Sequence, residues 1–397
     1  MLGGAGLRFW HVRTLAPSTP SLSDGPWFRE VSDHLAHGHG FTLEMGHVFV
    51  PTATHPPLYP LWLALFRVMG AHSDLALRST GTLLGAVTVA FVGLLGRRIG
   101  GAALGLYAAA IIAVHPLLVA ADGSLFSETL YSVTIAAVLL TGWLLHERRT
   151  WPRAAALGAC IGLATLTRSE ALLLVVLVTV PLVWRLPTAV RWRLLGVATA
   201  ACALVVAPWV VRNSSEVGRP VLSNNYGNLI GATNNHPTYY EAAHLGALGS
   251  FCLTPPGKDE TQAADFCARV GGHYAVHHVV RWPLVVPVRV LREWSLWDPF
   301  THYSSDAGRN LAVEHTGIVF DYVLILLAVP GVLALRRTPP ALYMLATPII
   351  LVTLVAATTY GSVRLREAAE IPLSVLAASG VLTIANRLRP GMPAAGN

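Results

Sequence analysis

The stretch YGSVRLREAAE, residues 360–370, decides how this chain folds, because it interrupts an otherwise apolar C-terminal part with charge. It places two arginines and two glutamates between apolar runs at 340–359 and 368–386. Each run is long enough to cross a bilayer as a helix. Charged groups at such a boundary face water or one another, since hydrocarbon cannot solvate them. The stretch therefore predicts two membrane-spanning helices with a charged site between them.

The composition of the whole chain is that of a polytopic membrane protein. Its 397 residues are 53% hydrophobic and 12% charged, with a mean hydropathy of +0.54. Runs able to cross roughly 30 Å of hydrocarbon recur along the chain, which excludes a soluble enzyme. The net charge of +7 comes from arginines scattered in short loops, so a nucleic-acid partner is not expected.

The apolar runs predict an all-α bundle of membrane-spanning helices. The predicted spans are 79–96, 99–119, 128–146, 154–167, 170–184, 194–212, 316–335, 340–359 and 368–386. The connections after alternate spans are rich in arginine, and the positive-inside rule places them in the cytoplasm. The other connections are then external. This scheme predicts a helical bundle with a long first external loop that carries juxtamembrane helices.

The predicted order of regions follows from this topology. Residues 1–12 are apolar but only about 18 Å long as a helix, too short to span a bilayer. They are expected to be the remnant of a first transmembrane helix. The regions after it are a first external loop (13–78), a transmembrane core (79–212), a large external loop (213–315), C-terminal transmembrane helices (316–386) and a cytoplasmic tail (387–397).

Residues 154–184 test the scheme. A single helix there would be about 46 Å long and would place the arginines at its two ends on opposite sides of the membrane. Two short helices that meet at TRSE, residues 167–170, keep both ends on the cytoplasmic side. A turn at that depth carrying Arg168 and Glu170 implies a water-filled cavity.

Asp24, in SLSDGPWFRE, precedes a stretch whose apolar residues recur at near-helical spacing. One interpretation is that Asp24 caps this helix, with Pro26 in the first turn. The other is that its carboxylate acts as a general base on the outer surface of the membrane. The two roles are compatible only if one carboxylate oxygen remains free.

Three more polar residues are candidates for the site, one in the first external loop and two near the outer ends of predicted spans. His55 precedes Pro-Pro and is either an interfacial histidine in a turn or a cation that contacts a phosphate. Asp122 and Glu128 either cap a helix, whose positive N-terminal end favours an acid, or face the same cavity as Asp24. Such an acid positions an acceptor. Metal binding by Asp24 and Glu128 is the weaker alternative, because no ligand spacing such as HxxxH is present.

Two loop features remain open at this stage. The segment 208–235 is rich in asparagine, including Asn224 and Asn225, and is either a sugar-binding loop or an ordinary turn-rich one. Cys252 and Cys267 lie in a polar loop, and we predict a disulfide between them, which requires an oxidising compartment.

Arg364 and Arg366 lie on the predicted external side, against the charge rule. They are either solvated surface arginines or a phosphate site, because guanidinium groups bind phosphate oxygens in bidentate fashion. A lipid-linked phosphate would meet them at the level of the headgroups.

Seven stretches, taken in order, resemble the GT-C superfamily of glycosyltransferases, and more narrowly the bacterial relatives of protein O-mannosyltransferases and of lipid A aminoarabinose transferases. They are SDGPWF (23–28), HPPLYPLW (55–62), LALRSTGTLLGAVTVAFVGLLGRRIG (75–100), SETLY (127–131), LTRSEALLL (166–174), APWVVRNSSEVGRPVLSNNYGN (207–228) and YGSVRLREAAEIPLSVLAASG (360–380). The resemblance covers most of residues 20–386.

The resemblance implies roles for single residues. Asp24 corresponds to the catalytic base of the family, and Glu128 to its second acid, with Asp122 a nearby competitor. The residues implied to bind the donor phosphate are His55, where lysine is common in the aminoarabinose transferases, Arg364 and Arg366. The residues expected to position substrates are Asp122, Glu128, Arg168, Glu170, Asn224 and Asn225.

The resemblance also implies the reaction. A polyprenyl-phosphate sugar would be the donor and a protein, lipid or glycan the acceptor, with inversion at the external face of the plasma membrane. No cofactor is required, and a divalent metal is an open alternative. A transporter or flippase of a lipid-linked solute is the main rival, although the hydropathy repeats usual in transporters are not apparent. A non-catalytic relative is the third alternative.

Overall fold

The computed structural model describes residues 2–14, 24–300 and 309–388. Within these ranges the only sheet is an antiparallel hairpin of β1 (Thr42–Met45) and β2 (Val48–Pro51). Everything else that is regular is helical, which confirms the predicted all-α class. The predicted tail 387–397 lies outside the described residues from position 389 onward.

The first part of the chain holds the N-terminal helix, the first loop and the core helices. These are α1 (Leu2–Thr14), α2 (Gly25–Ala36), α3 (Leu58–Val68), α4 (Asp74–Val114), α5 (Pro116–Asp122), α6 (Glu128–Glu147), α7 (Trp151–Thr165), α8 (Val180–Trp184) and α9 (Thr188–Glu216). Two short irregular helices, Ser169–Leu173 and Val175–Thr179, stand between α7 and α8.

The second part holds the large loop and the C-terminal helices. These are α10 (Asn225–Thr233), α11 (His236–Tyr240), α12 (Glu260–His277), α13 (Trp282–Glu293), α14 (Leu311–Leu335), α15 (Pro339–Thr358) and α16 (Glu367–Leu388). Single 3₁₀ turns at Val279–Arg281 and Val363–Arg366 precede α13 and α16.

Six of the described helices are long and apolar enough to cross a membrane, so the chain is a multi-pass membrane protein. The longest, α4, contains a break at Gly100–Gly101, and Gly101 has a φ of 85° that only glycine adopts at little cost. The two predicted spans 79–96 and 99–119 are the arms on either side of this break. Every other predicted span overlaps a helix, although the side of the membrane that each connection faces stays a prediction.

The TRSE segment breaks the helix as predicted. Helix α7 ends at Thr165, Arg168 is extended with a φ of −147°, and a 3₁₀ turn then begins at Ser169. The turn is tied to the first loop, because the Leu58 amide at the start of α3 donates to the Leu166 carbonyl over 2.9 Å. The first external loop was predicted to carry juxtamembrane helices. Its helix α3 packs against α2.

Helices α14 and α16 pack closely because both carry glycine at the contact. A Cβ added at Gly331 would lie 1.9 Å from the Leu376 carbonyl oxygen, and one at Gly380 would lie 1.8 Å from that of Leu327. Small residues of this kind let two membrane helices approach backbone to backbone. The approach brings the polar residues of α14 next to the charged start of α16.

The large loop 213–315 is largely helical where the structure describes it. Helix α10 packs against α12, and the predicted disulfide joins Cys252 to Cys267 with a Cα–Cα distance of 5.7 Å. The bonded pair lies against Gly231 of α10, whose missing side chain leaves room for it. A disulfide bond therefore crosslinks this loop beside the transmembrane bundle.

Candidate active site

A cavity of about 600 Å³ opens where the start of α2, the TRSE turn and the Val363–Arg366 turn converge. Its polar lining consists of Asp24, His55, Ser127, Thr167, Arg168, Ser169, Glu170, Ser223, Asn225, Tyr226, Thr358, Thr359, Tyr360 and Arg364. Its apolar lining consists of Phe28, Pro56, Leu173, Pro220, Val221, Leu222, Leu229, Val355 and Leu365. One cavity therefore has both convergent charged side chains and an apolar wall.

Asp24 stands at the N-terminus of α2, but its side chain makes no hydrogen bond to the amides of that helix. The helix-cap interpretation is therefore wrong. The carboxylate instead accepts a hydrogen bond from Arg364 Nη2 at 2.7 Å and lies 3.6 Å from His55 Nε2. Burial by itself raises the pKa of Asp24, but the charges of His55 and Arg364 and their hydrogen bonds outweigh it and lower the pKa below its usual range.

Arg364 links the two acids that the sequence singled out. Its Nε donates to Glu128 while its Nη2 donates to Asp24, and its guanidinium lies 4.2 Å from the centroid of the Phe126 ring. Because this cation sits between Asp24 and Glu128, the two carboxylates do not form a metal pair in this structure. The arginine side chain keeps 16% of its surface exposed, so it remains reachable from the cavity.

Glu128 is anchored more deeply than Asp24. It opens α6 with a side chain that is 2% exposed, and its Oε1 also lies 3.3 Å from Arg168 Nη1. Its second oxygen, Oε2, is buried and has no hydrogen-bond donor in the part of the chain that the structure describes. Glu128 does not itself line the cavity, so it acts on the site through the two arginines that it holds, Arg364 and Arg168.

The TRSE turn contributes an ion pair of its own to the wall. Arg168 Nε donates to Glu170 Oε1 over 2.6 Å, and its guanidinium lies 5.7 Å from the centroid of the Tyr131 ring. Asp24, Glu128 and Glu170 set against Arg168 and Arg364 leave one uncompensated negative charge when His55 is neutral. A protonated His55 would make the group neutral.

Arg366 does not reach this cavity, contrary to the prediction of a shared phosphate site. Its side chain is fully buried, donates to Glu370 Oε1 over 2.7 Å, and also pairs with Asp321. The physical reason is the 3₁₀ turn, which sends residues two apart in sequence to different sides of the backbone. Glu367 likewise turns inward and pairs with Arg309.

Two other predicted positioning residues are structural. Asp122 pairs with buried Arg8 beneath Gly85, where an added Cβ would lie 2.1 Å from the Asp122 carboxylate, so it does not line the cavity. Asn224 is 2% exposed and donates to Glu260 over 2.8 Å. Of the asparagine pair only Asn225 lines the cavity.

Sequence reasoning missed several aromatic and hydroxyl residues of the site. Phe126 supports the Arg364 guanidinium, and Tyr226 and Tyr360 line the cavity. Tyr360 stands at the start of the charged stretch and Tyr226 beside Asn225, so proximity to a predicted site residue was the only available signal. Phe126 has the same signal, since it stands two positions before Glu128, but a phenylalanine before a span is ordinary packing material.

A second cavity of about 560 Å³ lies on the other side of the start of α2. Four of its charged residues form two ion pairs: Arg29 donates to both oxygens of Asp74 at 2.9 Å, and Arg67 donates to Asp33 at 2.9 Å. Arg78 also lines the cavity and donates to the Gly123 carbonyl over 3.1 Å. We assign no ligand to this cavity.

A protein-family model matches part of the chain. Residues 54–211, less than half of the chain, match the family model described as dolichyl-phosphate-mannose-protein mannosyltransferase. This range includes His55, Glu128 and the TRSE turn. None of the curated proteins compared matches the chain.

Solved structures share the fold at low identity. The archaeal oligosaccharyltransferase AglB from Archaeoglobus fulgidus, in complex with an inhibitory peptide and a dolichol-phosphate, is 14% identical with a TM-score of 0.55, over 98% of this chain and 51% of that one. The Archaeoglobus fulgidus enzyme in complex with Zn and sulfate is 13% identical with a TM-score of 0.51, over 96% and 49%. ArnT from Cupriavidus metallidurans, bound to undecaprenyl phosphate, is 13% identical with a TM-score of 0.49, over 97% and 76%.

The chain spans about half the length of the oligosaccharyltransferase structures, and its similarity to them lies in the transmembrane fold. The family match covers the first loop and the core helices, while the fold match covers nearly the whole chain. Together they confirm the resemblance read from the sequence. Residues 54–211 are similar to the dolichyl-phosphate-mannose-protein mannosyltransferase family, and the chain shares its transmembrane fold with the oligosaccharyltransferase AglB.

Proposed function

We propose that the chain transfers a sugar from a polyprenyl-phosphate donor to an acceptor hydroxyl, at the external face of the plasma membrane and with inversion. The observation that carries this proposal is the contact between Asp24 and Arg364 inside one cavity. It joins a carboxylate able to accept a proton to a cation able to hold a phosphate.

The comparisons support a lipid-linked donor. The matched family is described by a dolichyl-phosphate mannose, and the oligosaccharyltransferase with the same fold was solved with a dolichol-phosphate and a peptide. The apolar wall of the cavity, which includes Leu173, Leu229 and Val355, offers a surface that the first isoprene units of such a lipid would contact.

Arg364 would bind the donor phosphate. In the described state its guanidinium is occupied by Asp24 and Glu128. A phosphate offers the same planar fork two strong acceptors, so it competes directly with Asp24 for Nη2. Binding of the donor then releases the Asp24 carboxylate from its cation, and its pKa rises because the burial that remains favours the protonated form.

The released Asp24 would take the proton of the acceptor hydroxyl as that oxygen attacks the anomeric carbon. The C–O bond to the phosphate breaks on the opposite face, the bonding electrons leave on the phosphate oxygen, and configuration inverts in one displacement. The transition state resembles the oxocarbenium ion of glycosidases. Positioned bases of this kind contribute about 10²–10⁴-fold, and Arg364 with His55 would stabilise the departing phosphate.

Glu128 would position other groups of the site and would not itself transfer a proton. Its Oε1 holds Arg364 and Arg168, which line the cavity. Asn225 and Tyr226, on the opposite wall, would supply donors and acceptors for the hydroxyls of the donor sugar.

The direct test is a transfer assay with the purified full chain in detergent or nanodiscs. Synthetic polyprenyl-phosphate mannose and related polyprenyl-phosphate sugars are supplied with membrane extracts as acceptor. We expect release of free polyprenyl phosphate and sugar bound to the acceptor with an inverted anomeric configuration by NMR. Addition of EDTA in a parallel reaction reports whether a divalent metal is needed.

The same preparation separates an enzyme from a flippase. A flippase moves intact lipid-linked sugar across a liposome bilayer without breaking the phosphate–sugar bond. Donor that remains intact with every extract, together with transbilayer movement of the lipid, would refute the proposed transfer.

A further inference from the structure

A second group of charged side chains is buried outside the cavity. It lies at the junction of α4 and α5, where these two helices pack against α14 and α16. Its members, each with a side chain at most 1% exposed, are His115, Asp321, Arg366 and Glu370. Glu370 and Asp321 are brought together by the close packing of α14 on α16. None of these four side chains lines the candidate active site.

The two carboxylates each divide their oxygens between two partners. Arg366 donates to Oδ2 of Asp321 and to Oε1 of Glu370. The other two oxygens, Asp321 Oδ1 and Glu370 Oε2, face His115 Nε2 at 3.1 and 3.3 Å. The three atoms Nε2, Oδ1 and Oε2 therefore converge on one point, on the side away from the guanidinium.

The spacing of these atoms fits a small cation. They all lie within 4.8 Å of one another. Around a tetrahedral Zn²⁺ with bonds of about 2.1 Å, neighbouring ligand atoms are about 3.4 Å apart. The two measured separations from Nε2 are close to that value. Apart from His115 Nε2, Asp321 Oδ1 has no hydrogen-bond partner among the described residues, although it is fully buried and aimed at this point.

The net charge of these buried side chains also favours a bound cation. Asp321 and Glu370, both ionised, with one arginine and a neutral histidine carry a formal charge of −1. Isolated buried charge is strongly unfavourable, so either a bound cation or a proton must compensate it.

We propose that His115, Asp321 and Glu370 bind one divalent transition-metal ion, with Zn²⁺ as the best-matched ion. One imidazole nitrogen and two carboxylate oxygens form an acceptable ligand set for Zn²⁺, whereas Mg²⁺ and Ca²⁺ prefer oxygen ligands alone. The ion has a structural role. It fixes the carboxylates that hold Arg366, and thereby the Val363–Arg366 turn that presents Arg364 to the cavity.

The test measures metal in the full-length protein, purified without a polyhistidine tag from cells supplied with Zn²⁺. Inductively coupled plasma mass spectrometry should find about one Zn²⁺ per chain, because a buried three-ligand site retains its ion. The isosteric variants Asp321→Asn and Glu370→Gln should each lower the content about tenfold or more.

A matched control addresses adventitious binding. His273 and His277 are a stacked pair one helical turn apart on α12, with ring centroids 3.9 Å apart, and such pairs capture zinc at surfaces. The double variant His273→Ala/His277→Ala should keep the zinc of the wild type. If it alone loses the metal, the proposal is overturned.

Two further outcomes would also overturn the proposal. The wild type could hold less than about 0.1 Zn²⁺ per chain, in which case protons compensate the cluster. Its zinc could also be unaffected by both ligand variants. Should those variants fail to fold, X-ray absorption of the wild type decides: one imidazole with oxygen ligands at about 2.0–2.2 Å is expected, and sulfur or several imidazoles would contradict it.

Discussion

Arg364 Nη2 lies 2.7 Å from Asp24 Oδ2, although the two residues are 340 positions apart in the chain. The contact joins the first loop to the start of the last transmembrane helix in one cavity. It also means that the proposed base begins the reaction cycle bound to its phosphate-binding partner.

Replacement of Asp24 by asparagine removes the proton acceptor while keeping the size of the side chain. We expect Asp24→Asn to lower kcat about 10²-fold or more, with an unchanged melting temperature and retained donor binding. The matched control is Asp33→Asn, which changes an acid on the same helix whose carboxylate is bound to Arg67 outside the cavity. Wild-type turnover in Asp24→Asn would rule out this residue as the base.

Replacement of Arg364 removes the cation proposed to hold the phosphate. Because a charge-assisted hydrogen bond contributes about 1.5–3 kcal/mol, Arg364→Gln should raise KM for the donor roughly 10- to 100-fold. Arg219→Gln is the control, since Arg219 forms an exposed ion pair with Asp265. Equal donor affinity in wild type and Arg364→Gln would contradict the phosphate role.

The same substitution should change the pH profile in a defined direction. In the free enzyme Arg364 and His55 lower the pKa of Asp24, so the base stays ionised and the acid limb of kcat/KM lies at low pH. In Arg364→Gln burial dominates, the pKa of Asp24 rises, and the acid limb should move to higher pH. A limb that moves downward or stays in place would show that another group limits the rate.

Arg366 should behave unlike Arg364. Arg366→Met removes the guanidinium that binds one oxygen of Asp321 and one of Glu370, and loss of one partner from such a buried charged group destabilises a protein by about 3–5 kcal/mol. We expect a lower melting temperature and poor yield, with an unchanged KM for the donor in the protein that folds. A raised KM at full stability would restore Arg366 to the phosphate site.

The disulfide of the large loop should be measurable as a stability increment. It closes a loop over a sequence separation of 15 residues, and loops of this length are stabilised by roughly 3 kcal/mol. Cys252→Ser/Cys267→Ser should lower the melting temperature and abolish its sensitivity to dithiothreitol. Cys160→Ala, which removes an unpaired cysteine, should leave that sensitivity intact. A wild type insensitive to reductant would argue against the bond.

Much of the helical layout was predictable because the membrane imposes it. Apolar run lengths located all six described helices that are long enough to cross a membrane, and the arginines at both ends of 154–184 predicted the break at TRSE. Asp24, His55, Arg168, Glu170, Asn225 and Arg364 were also named from the sequence and line the cavity. Of these, Arg168, Glu170 and Arg364 carry a charge beside a predicted span, where a charged group needs a partner or a function.

The failures were also of one kind. Asp122, Asn224 and Arg366 have the residue types and neighbours of site residues, yet each is turned into the protein toward Arg8, Glu260 and Asp321 respectively. The pattern of a sequence reports where the backbone passes. It does not report which way a side chain points from a short 3₁₀ turn or loop.

The sequence by itself determined the helical membrane architecture, since hydrocarbon admits only backbones whose hydrogen bonds are satisfied internally. It also determined the small set of charged residues from which a site could be built. Only the tertiary structure decided which of them meet. The pairing of Asp24 with Arg364, and of His115 with Asp321 and Glu370, depends on contacts between distant segments, and such contacts are set by helix packing rather than by local sequence.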